Sequence, residues 1–243
     1  MKKQVRRGSI TSDAHVPEVD KAAWRTHLRI VKDFKPDFHI IIGDMGEFES
    51  VSQHPQGSVK RPDLGRDYAA IGKYLDELEA VLPDGCEKYF CEGNHEHRVT
   101  RWINNRSREL NGGVKTVKEG LELDRRGWKW VPYGQLVSVG KCNFTHGLYT
   151  NKYHAEKTVS AFGDTVIYGD THTYQAFTMT HGRKPHLGMS VGCLRKLDPD
   201  WLNGRPNQWV HGFGVVHVFP NGNFIPYFVP IIEGRSVFNG KVY

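Results

Sequence analysis

The chain has 243 residues, a formal net charge of +6 and 38% hydrophobic residues. This length suffices for one sizeable core, so we predict a single domain over residues 1–243. No apolar run approaches the ~20 residues that span a bilayer, which excludes a transmembrane protein, and the basic start lacks the apolar segment of a secretory signal. The four cysteines form no CxxC pair, so we expect reduced thiols and a cytoplasmic location.

The first half of the chain alternates predicted strands and helices. Apolar residues at helical spacing favour a helix, and short apolar runs bounded by Gly, Pro or Asp favour a buried strand. Alternation of this kind indicates βαβ units around a parallel sheet. The predicted segments are a strand that ends at Ser12, a helix over 19–34, a strand over 38–42, a helix over 71–82 and a strand over 88–91.

The second half is richer in predicted strands. One helix is predicted there, over 153–162, and Asn221-Gly222 is a strong signal for a hairpin between the last two strands. We therefore predict an α/β fold in which two packed β-sheets, a β-sandwich, are flanked by helices. The predicted strands cover 130–139, 141–145, 166–168, 187–193, 213–219 and 223–229.

Five short polar motifs follow the ends of predicted strands. Their side chains offer oxygen and nitrogen ligands, a mixture that suits Mn, Fe or Zn better than a thiolate-preferring metal. Open α/β sheets collect such residues at the carboxyl ends of their strands, so the motifs should meet at one edge. Gly43-Asp44 alone is more often a turn, and Asp13-Ala14-His15 alone is more often a helix start or a surface loop. The third motif is more specific, and the ordered set of five favours a metal site. The motifs are Asp13-Ala14-His15, Gly43-Asp44, Gly93-Asn94-His95-Glu96, His146-Gly147 and Gly169-Asp170-Thr171-His172.

In order and composition these motifs resemble those of the calcineurin-like binuclear metallophosphoesterase superfamily, from about Ser12 to His172. The compact chain looks most like the members found in phage genomes, which act in the host cytoplasm. The resemblance implies a four-layer fold, two divalent metal ions and hydrolysis of phosphate esters. By position it implies a first metal site of Asp13, His15 and His172, a second site of Asn94 and His146, and a bridging ligand, Asp44.

The last motif departs from the family pattern, because Asp170 stands where the family has a histidine. We expect Asp170 to ligate the second ion through oxygen. Such a harder, more anionic site favours Mn²⁺, with Fe, Zn, Ni and Co as alternatives. In the other interpretation Asp170 turns away and the second ion binds weakly.

His95 is the predicted general acid rather than a metal ligand. A departing alkoxide needs a proton, and an imidazole that titrates near neutral pH can supply it. Glu47 stands at the position of the acidic residue that orients this histidine in the family. The arginine that follows that acid in the family is missing, because Phe48 stands there. Arg98 is the candidate that contacts the substrate phosphate in its place.

We predict an enzyme, a metal-dependent phosphodiesterase or nuclease acting on DNA or RNA. Two ions ~3.5–4 Å apart can polarise a phosphoryl group and activate a hydroxide for in-line attack. The net charge of +6 and the arginines at 98, 101, 106 and 108 favour a polyanionic substrate. The alternatives are a phosphomonoesterase acting on proteins or nucleotides, and a non-catalytic scaffold that binds metal or nucleic acid. No membrane and no obligate protein partner is expected.

Overall fold

The computed structural model describes residues 4–52, 63–106, 109 and 113–243, so the predicted role of Arg108 lies outside the described residues. Among the described residues, no helix combines the length and the apolar character needed to cross a membrane. The helices are α1 Lys21–Phe34, α2 Leu64–Glu79, α3 Asn94–Asn105, α4 Val117–Gly120 and α5 His154–Phe162. The strands are β1 Arg6–Thr11, β2 Phe38–Ile41, β3 Glu87–Cys91, β4 Trp128–Val131, β5 Val137–Val139, β6 Cys142–Thr145, β7 Val166–Tyr168, β8 Tyr174–His181, β9 Lys184–Val191, β10 Gly212–Val218, β11 Phe224–Pro230, β12 Val237–Phe238 and β13 Lys241–Val242.

The first large sheet has six strands in the order β11-β10-β1-β2-β3-β4. Strands β1 to β4 run parallel, as the alternating pattern predicts. Strands β10 and β11 extend the sheet in antiparallel fashion, and the hairpin predicted at Asn221-Gly222 joins them. The carboxyl ends of β1, β2 and β3 therefore lie along one edge of this sheet.

The second large sheet has five strands in the order β5-β6-β7-β9-β8. Its middle strands β6, β7 and β9 run parallel. Apolar side chains from both sheets form one buried cluster, in which Ile10 and Ile40 of the first sheet meet Phe144 and Ile167 of the second. Burial of these side chains removes apolar surface from water and holds the two sheets face to face.

Helices cover the outer faces of both sheets. A second buried cluster joins α1 and α2 to the first sheet and includes Trp24, Ile30, Ile71 and Phe90. Helix α5 packs on β7, β8 and β9 of the second sheet. The order helix, sheet, sheet, helix confirms the predicted α/β sandwich with flanking helices.

Three local predictions are wrong in detail. The strand predicted over 130–139 is two strands in different sheets, because the chain turns where the Gln135 amide donates to the Pro132 carbonyl. Helix α1 begins at Lys21 rather than Val19, since the Asp20 side chain accepts hydrogen bonds from the first helical amides. Helix α2 covers Leu64–Glu79 rather than 71–82, since the Asp63 side chain accepts a hydrogen bond from the Arg66 amide and caps its start. The sequence does not predict β8, which is a mostly exposed edge strand.

Candidate metal centre

The ends of strands from both sheets bring the seven predicted ligands together. Asp13 and Asp44 follow β1 and β2 of the first sheet, whereas His146 and Asp170 follow β6 and β7 of the second. Within the described ranges, three groups of potential ligand atoms lie within 4.8 Å of one another. These groups are Asp13 with His15 and His172, His15 with Asp44 and His95, and Asp13 with Asp44 and His146.

The first half-site consists of Asp13, His15, Asp44 and His172. His172 Nε2 lies 3.3 Å from Asp13 Oδ1, and His15 Nε2 lies 3.6 Å from Asp44 Oδ2. The Nε2 atoms of His15 and His172 are only 3.0 Å apart. Asp13 Oδ1 is buried and has no hydrogen-bond partner among the described residues. Acceptor atoms that converge in this way fit a bound cation.

The second half-site consists of Asp44, Asn94, His146 and Asp170. His146 Nε2 lies 3.4 Å from Asp44 Oδ2, 3.6 Å from Asp170 Oδ1 and 2.7 Å from Asn94 Oδ1. The other ring nitrogen of His146 donates to the Ile42 carbonyl at 2.8 Å, so the neutral ring presents a lone pair at Nε2. Asp44 Oδ2 therefore lies close to one ligand nitrogen of each half-site, the position of a bridging oxygen.

The Asn94 amide can serve the second half-site in two orientations. With its oxygen turned inward, the amide faces only other hydrogen-bond acceptors. Only a cation between them can satisfy this arrangement. With its NH₂ group turned inward, it donates to Asp44, His146 and Asp170 at distances up to 3.2 Å. Asn94 is thus suited both to hold an ion and to satisfy the acceptors of an ion-free site.

The carboxylates make this edge a place where positive charge is stable. Burial lowers the pKa of His15, but hydrogen bonds to Asp13 and Glu47 outweigh it and raise that pKa to about 9. Burial also lowers the pKa of His146, yet Asp44 and Asp170 hold it well above its usual value. In the absence of metal, protons on these rings supply charge that divalent ions would otherwise bring.

The backbone holds five of the seven predicted ligands in the left-handed region. A positive φ is uncommon for residues other than glycine, and such strained residues concentrate at functional sites. The tertiary structure therefore imposes these turns, which direct the side chains into the centre. The five residues and their φ values are Asp13 (50°), His15 (50°), Asp44 (51°), Asp170 (68°) and His172 (57°).

Glu96, the fourth residue of the third motif, holds the loop that carries Asp44 in place. Its fully buried carboxylate accepts hydrogen bonds from the amides of Asp44 and Gly93 at 2.9 Å, and from the amide of Gly46 at 3.2 Å. A Cβ on Gly93 would collide with Asp44, so the motif needs glycine there. Our sequence reasoning assigned Glu96 no role, although an acid at the third position of a helix is the signature of a capping residue.

The structure gives Glu47 a different task from the one predicted. Its carboxylate accepts from His15 Nδ1 at 2.8 Å, so it orients a predicted metal ligand. His95 is held by the backbone carbonyl of Glu47 at 2.9 Å, while the nearest Glu47 carboxylate oxygen lies 3.6 Å away. This leaves His95 Nε2 facing Asp44 Oδ2 at 3.7 Å. His95 thus lies beside the Asp44 carboxylate, where the predicted general acid would be expected.

Two arginines border the centre, and only one of them was predicted. Arg98 on α3 extends from the third motif, and its guanidinium lies 3.4 Å from His95 Nε2. Arg195 is only 3% exposed, and its guanidinium lies 3.6 Å from Glu47 Oε2 and 5.1 Å from the centre of the Trp209 ring. No signal in the sequence links Arg195 to Glu47, because 148 positions separate them (195 − 47).

The donor set fits two divalent ions. Asp13, His15 and His172 would hold one ion, Asn94, His146 and Asp170 the other, and Asp44 would be shared. Carboxylate oxygen, amide oxygen and imidazole nitrogen are the ligands of Mn, Fe and Zn rather than of copper(I) or iron–sulfur clusters. Asp170 is 21% exposed, whereas Asp13 is fully buried.

Comparisons with known proteins agree with this fold. No family model matches the chain. The Gene 54 proteins of mycobacteriophages D29 and L5 are 28% and 26% identical in alignments 257 positions long, which cover 96% of this chain and 97% of each relative. The structure of Vacuolar Protein Sorting 29 from Cryptosporidium parvum matches with a TM-score of 0.53 and 13% identity, over 99% of this chain and 97% of that chain.

These similarities bear on two predictions. The relatives are phage proteins, in line with the expected likeness to phage members. Vacuolar Protein Sorting 29 has the fold of the calcineurin-like superfamily, and at 13% identity the match concerns the fold alone. The resemblance seen in the motifs is therefore confirmed in three dimensions: the chain has the calcineurin-like metallophosphoesterase fold.

Proposed function

We propose that this protein is a metal-dependent phosphoesterase that hydrolyses phosphodiesters. The observation that carries the proposal is the shared carboxylate of Asp44, which lies within 3.6 Å of a ligand nitrogen in each half-site. Such sharing suits a pair of ions that act on one substrate group. Two bound divalent ions would neutralise the phosphoryl oxygens and lower the pKa of a water for in-line attack.

The protein's own residues would position the substrate and move a proton. His95 borders the centre, and its Nδ1 is already occupied by the Glu47 carbonyl. Its Nε2 can therefore carry a proton toward the leaving oxygen. Burial lowers the pKa of His95, which makes the imidazolium a stronger acid. Arg98, beside the same nitrogen, would contact a non-bridging phosphate oxygen.

A diester substrate suits the surroundings better than a monoester. A monoester carries an additional negative charge, and the arginine that would follow Glu47 in a phosphatase-type motif is replaced by the buried Phe48. A polyanion such as DNA or RNA would be attracted by the net charge of +6, by the exposed Arg101 of α3 and by the exposed Arg106 just after that helix. Because the relatives are phage proteins, we propose that hydrolysis takes place in the cytoplasm of an infected host.

The test compares bis(p-nitrophenyl) phosphate with p-nitrophenyl phosphate, with added Mn²⁺ and with EDTA. We expect faster hydrolysis of the diester, dependence on Mn²⁺, and loss of activity in Asp44→Ala. Faster hydrolysis of the monoester would make the protein a phosphatase. Hydrolysis of neither ester with any divalent metal would favour the scaffold alternative.

The role of His95 has a sharper test, because p-nitrophenolate leaves readily without a proton whereas an alkoxide does not. Replacement of His95 by Gln should cost about 10²–10⁴-fold on a dinucleotide diester and much less on bis(p-nitrophenyl) phosphate. Arg98→Gln should slow both esters to a similar extent. An equal loss on both diesters in His95→Gln would contradict the assignment of a general acid.

A further inference from the structure

A cavity of about 460 Å³ lies beside the second half-site. This volume falls within the range of about 300–1,000 Å³ that small-molecule sites occupy. Asp170 and Thr171 form the border that it shares with the metal centre. A group attached to a phosphate at the centre would therefore extend directly into this cavity. Its other walls come from the loop after β6, the start of β8 and Gln208.

One wall of the cavity is an aromatic ring with an accessible surface. Tyr174 is 46% exposed and lines the cavity. It stacks on Phe228 with ring centres 4.1 Å apart and an angle of 10° between the planes. The Phe228 contact fixes the orientation of Tyr174, so a second planar group can stack on a ring that is already ordered.

The remaining walls present hydrogen-bonding groups that the protein itself does not use. The side chains of Thr150, Asn151 and Gln208 line the cavity and bond to no other group in the described ranges. The Lys152 ammonium has no acidic partner there and lies 5.2 Å from the centre of the Tyr153 ring. Amides of this kind match the donors and acceptors on the edge of a nucleobase, and an ammonium matches a phosphate.

The floor of the cavity is held together by hydrogen bonds. His154 is 5% exposed, and both of its ring nitrogens are bonded, to the Tyr168 hydroxyl at 2.5 Å and to the Thr173 hydroxyl at 3.0 Å. Gln175 accepts from the Ala155 amide at 2.8 Å and donates to the Lys152 carbonyl at 3.0 Å. These bonds hold the loop after β6 against β8, so the cavity exists before a ligand enters.

We propose that this cavity is a nucleoside-binding subsite, in which the base stacks on Tyr174 and its edge bonds to Asn151 and Gln208. The proposal rests on the proposed function, since it assigns the cavity to a group carried by the scissile phosphate. The proposal identifies nucleotide diesters as the class of substrate. This class includes the ends and the unpaired strands of nucleic acid, whose bases are free to stack.

The test uses two chromogenic diesters that differ only in the retained group. Both release p-nitrophenol, one from the p-nitrophenyl ester of thymidine 5′-monophosphate and the other from methyl p-nitrophenyl phosphate. We expect the wild type to prefer the thymidine ester. Tyr174→Ala should lower kcat/KM for that ester about tenfold, a size typical of base stacking, and leave the methyl ester nearly unchanged.

Two further variants serve as controls. Tyr174→Phe keeps the stacking surface and should keep the preference for the thymidine ester. Tyr227, 48% exposed and in contact with the His217 ring, is a matched aromatic that does not line the cavity. Tyr227→Ala should therefore behave as wild type. An equal change in kcat/KM for both esters in Tyr174→Ala, or no change for either ester, would contradict the proposed subsite.

A binding measurement separates the subsite from the proposed reaction. If the wild type hydrolyses neither ester, calorimetry with thymidine 5′-monophosphate and Zn²⁺ still tests the cavity. Binding about tenfold weaker in Tyr174→Ala than in Tyr174→Phe would support a nucleoside site without hydrolysis. Equal binding by the two variants, or no binding by the wild type, would overturn it.

Discussion

Two clusters of buried histidines differ in what surrounds them. His15 and His146 lie at the strand ends among carboxylates, whereas His27 and His39 lie between α1 and the first sheet. There the Thr11 hydroxyl is 2.9 Å from the His27 ring and 3.2 Å from the His39 ring. Burial lowers the pKa of His27 to about 3, but the carboxylates raise that of His15 to about 9. Burial alone therefore does not favour a positive charge at a histidine. Convergent carboxylates do, because they stabilise a cation.

The two clusters also differ in whether their hydrogen-bond partners can donate. Around His39, the Ser9 hydroxyl at 2.6 Å and the Thr11 hydroxyl at 3.2 Å can each donate or accept, so the neutral ring is satisfied without an ion. Around His146, Asp44 and Asp170 can only accept. The hydroxyls around His39 satisfy both nitrogens of its ring within the core, whereas the carboxylates around His146 leave a demand for positive charge.

The largest expected effect contrasts one histidine from each cluster. His146→Gln should lower metal affinity and activity by more than about 100-fold, since the loss of a residue that merely orients a ligand already costs about 10–100-fold. His39→Gln should keep the metal content and cost about 1–3 kcal/mol of stability through its unpaired buried partners. Metal analysis and urea unfolding of both variants measure the contrast. Equal metal content in the two variants would contradict the proposed difference between the two histidine clusters.

The next effect concerns the carboxylate that orients His15. Glu47→Gln should weaken binding in the first half-site about 10–100-fold, because the amide cannot stabilise the ring as a carboxylate does. Competition with a chelator of known affinity measures the change. Glu18→Gln is a matched control, since Glu18 pairs with Lys196 at the surface. Unchanged affinity in Glu47→Gln would mean that the bond between Glu47 and His15 is structural only.

Acid should destabilise the protein through the core cluster. The pKa of His27 in the folded chain lies below the unfolded value of about 6.5, so the stability from its neutral form is complete above pH 6.5 and is lost as the pH falls toward 3. At pH 5 the loss amounts to about 2 kcal/mol. Unfolding in EDTA at pH 7.5 and pH 5 should show a smaller loss in His27→Gln than in wild type. Identical losses would contradict this account.

The smallest effect concerns Asp170, the predicted ligand that is 21% exposed. Asp170→Ala should lower the metal content from about two ions per chain to about one, because Asp170 completes the second half-site. Asp170→His should keep both ions and shift the preference from Mn²⁺ toward Zn²⁺. Metal analysis of both variants after dialysis provides the measurement. Content and preference equal to wild type in both would show that Asp170 is not a ligand.

Much of the fold and of the candidate metal centre follows from the local pattern of apolar and polar residues in the sequence. The apolar runs before Asp13, Asp44 and Asn94 predict strands that end at the motifs, and these strands lie parallel in one sheet. A pattern of period 2 or 3.6 reports which face of an element is buried, so it identifies elements well. It failed at the strand predicted over 130–139, because a turn within an apolar stretch sends the two halves to different sheets.

The sequence by itself determined the alternation of strands and helices from β1 to β3, the two-sheet architecture and the residue types that gather at the strand ends. Only the tertiary structure decided that the Glu47 carboxylate serves His15 rather than His95, that Arg195 lies behind it, and that Tyr174 forms a cavity wall with Gln208. The physical reason is sequence separation. Contacts such as that between His15 and His172, 157 positions apart, depend on how the two sheets pack, and no local periodicity encodes that packing.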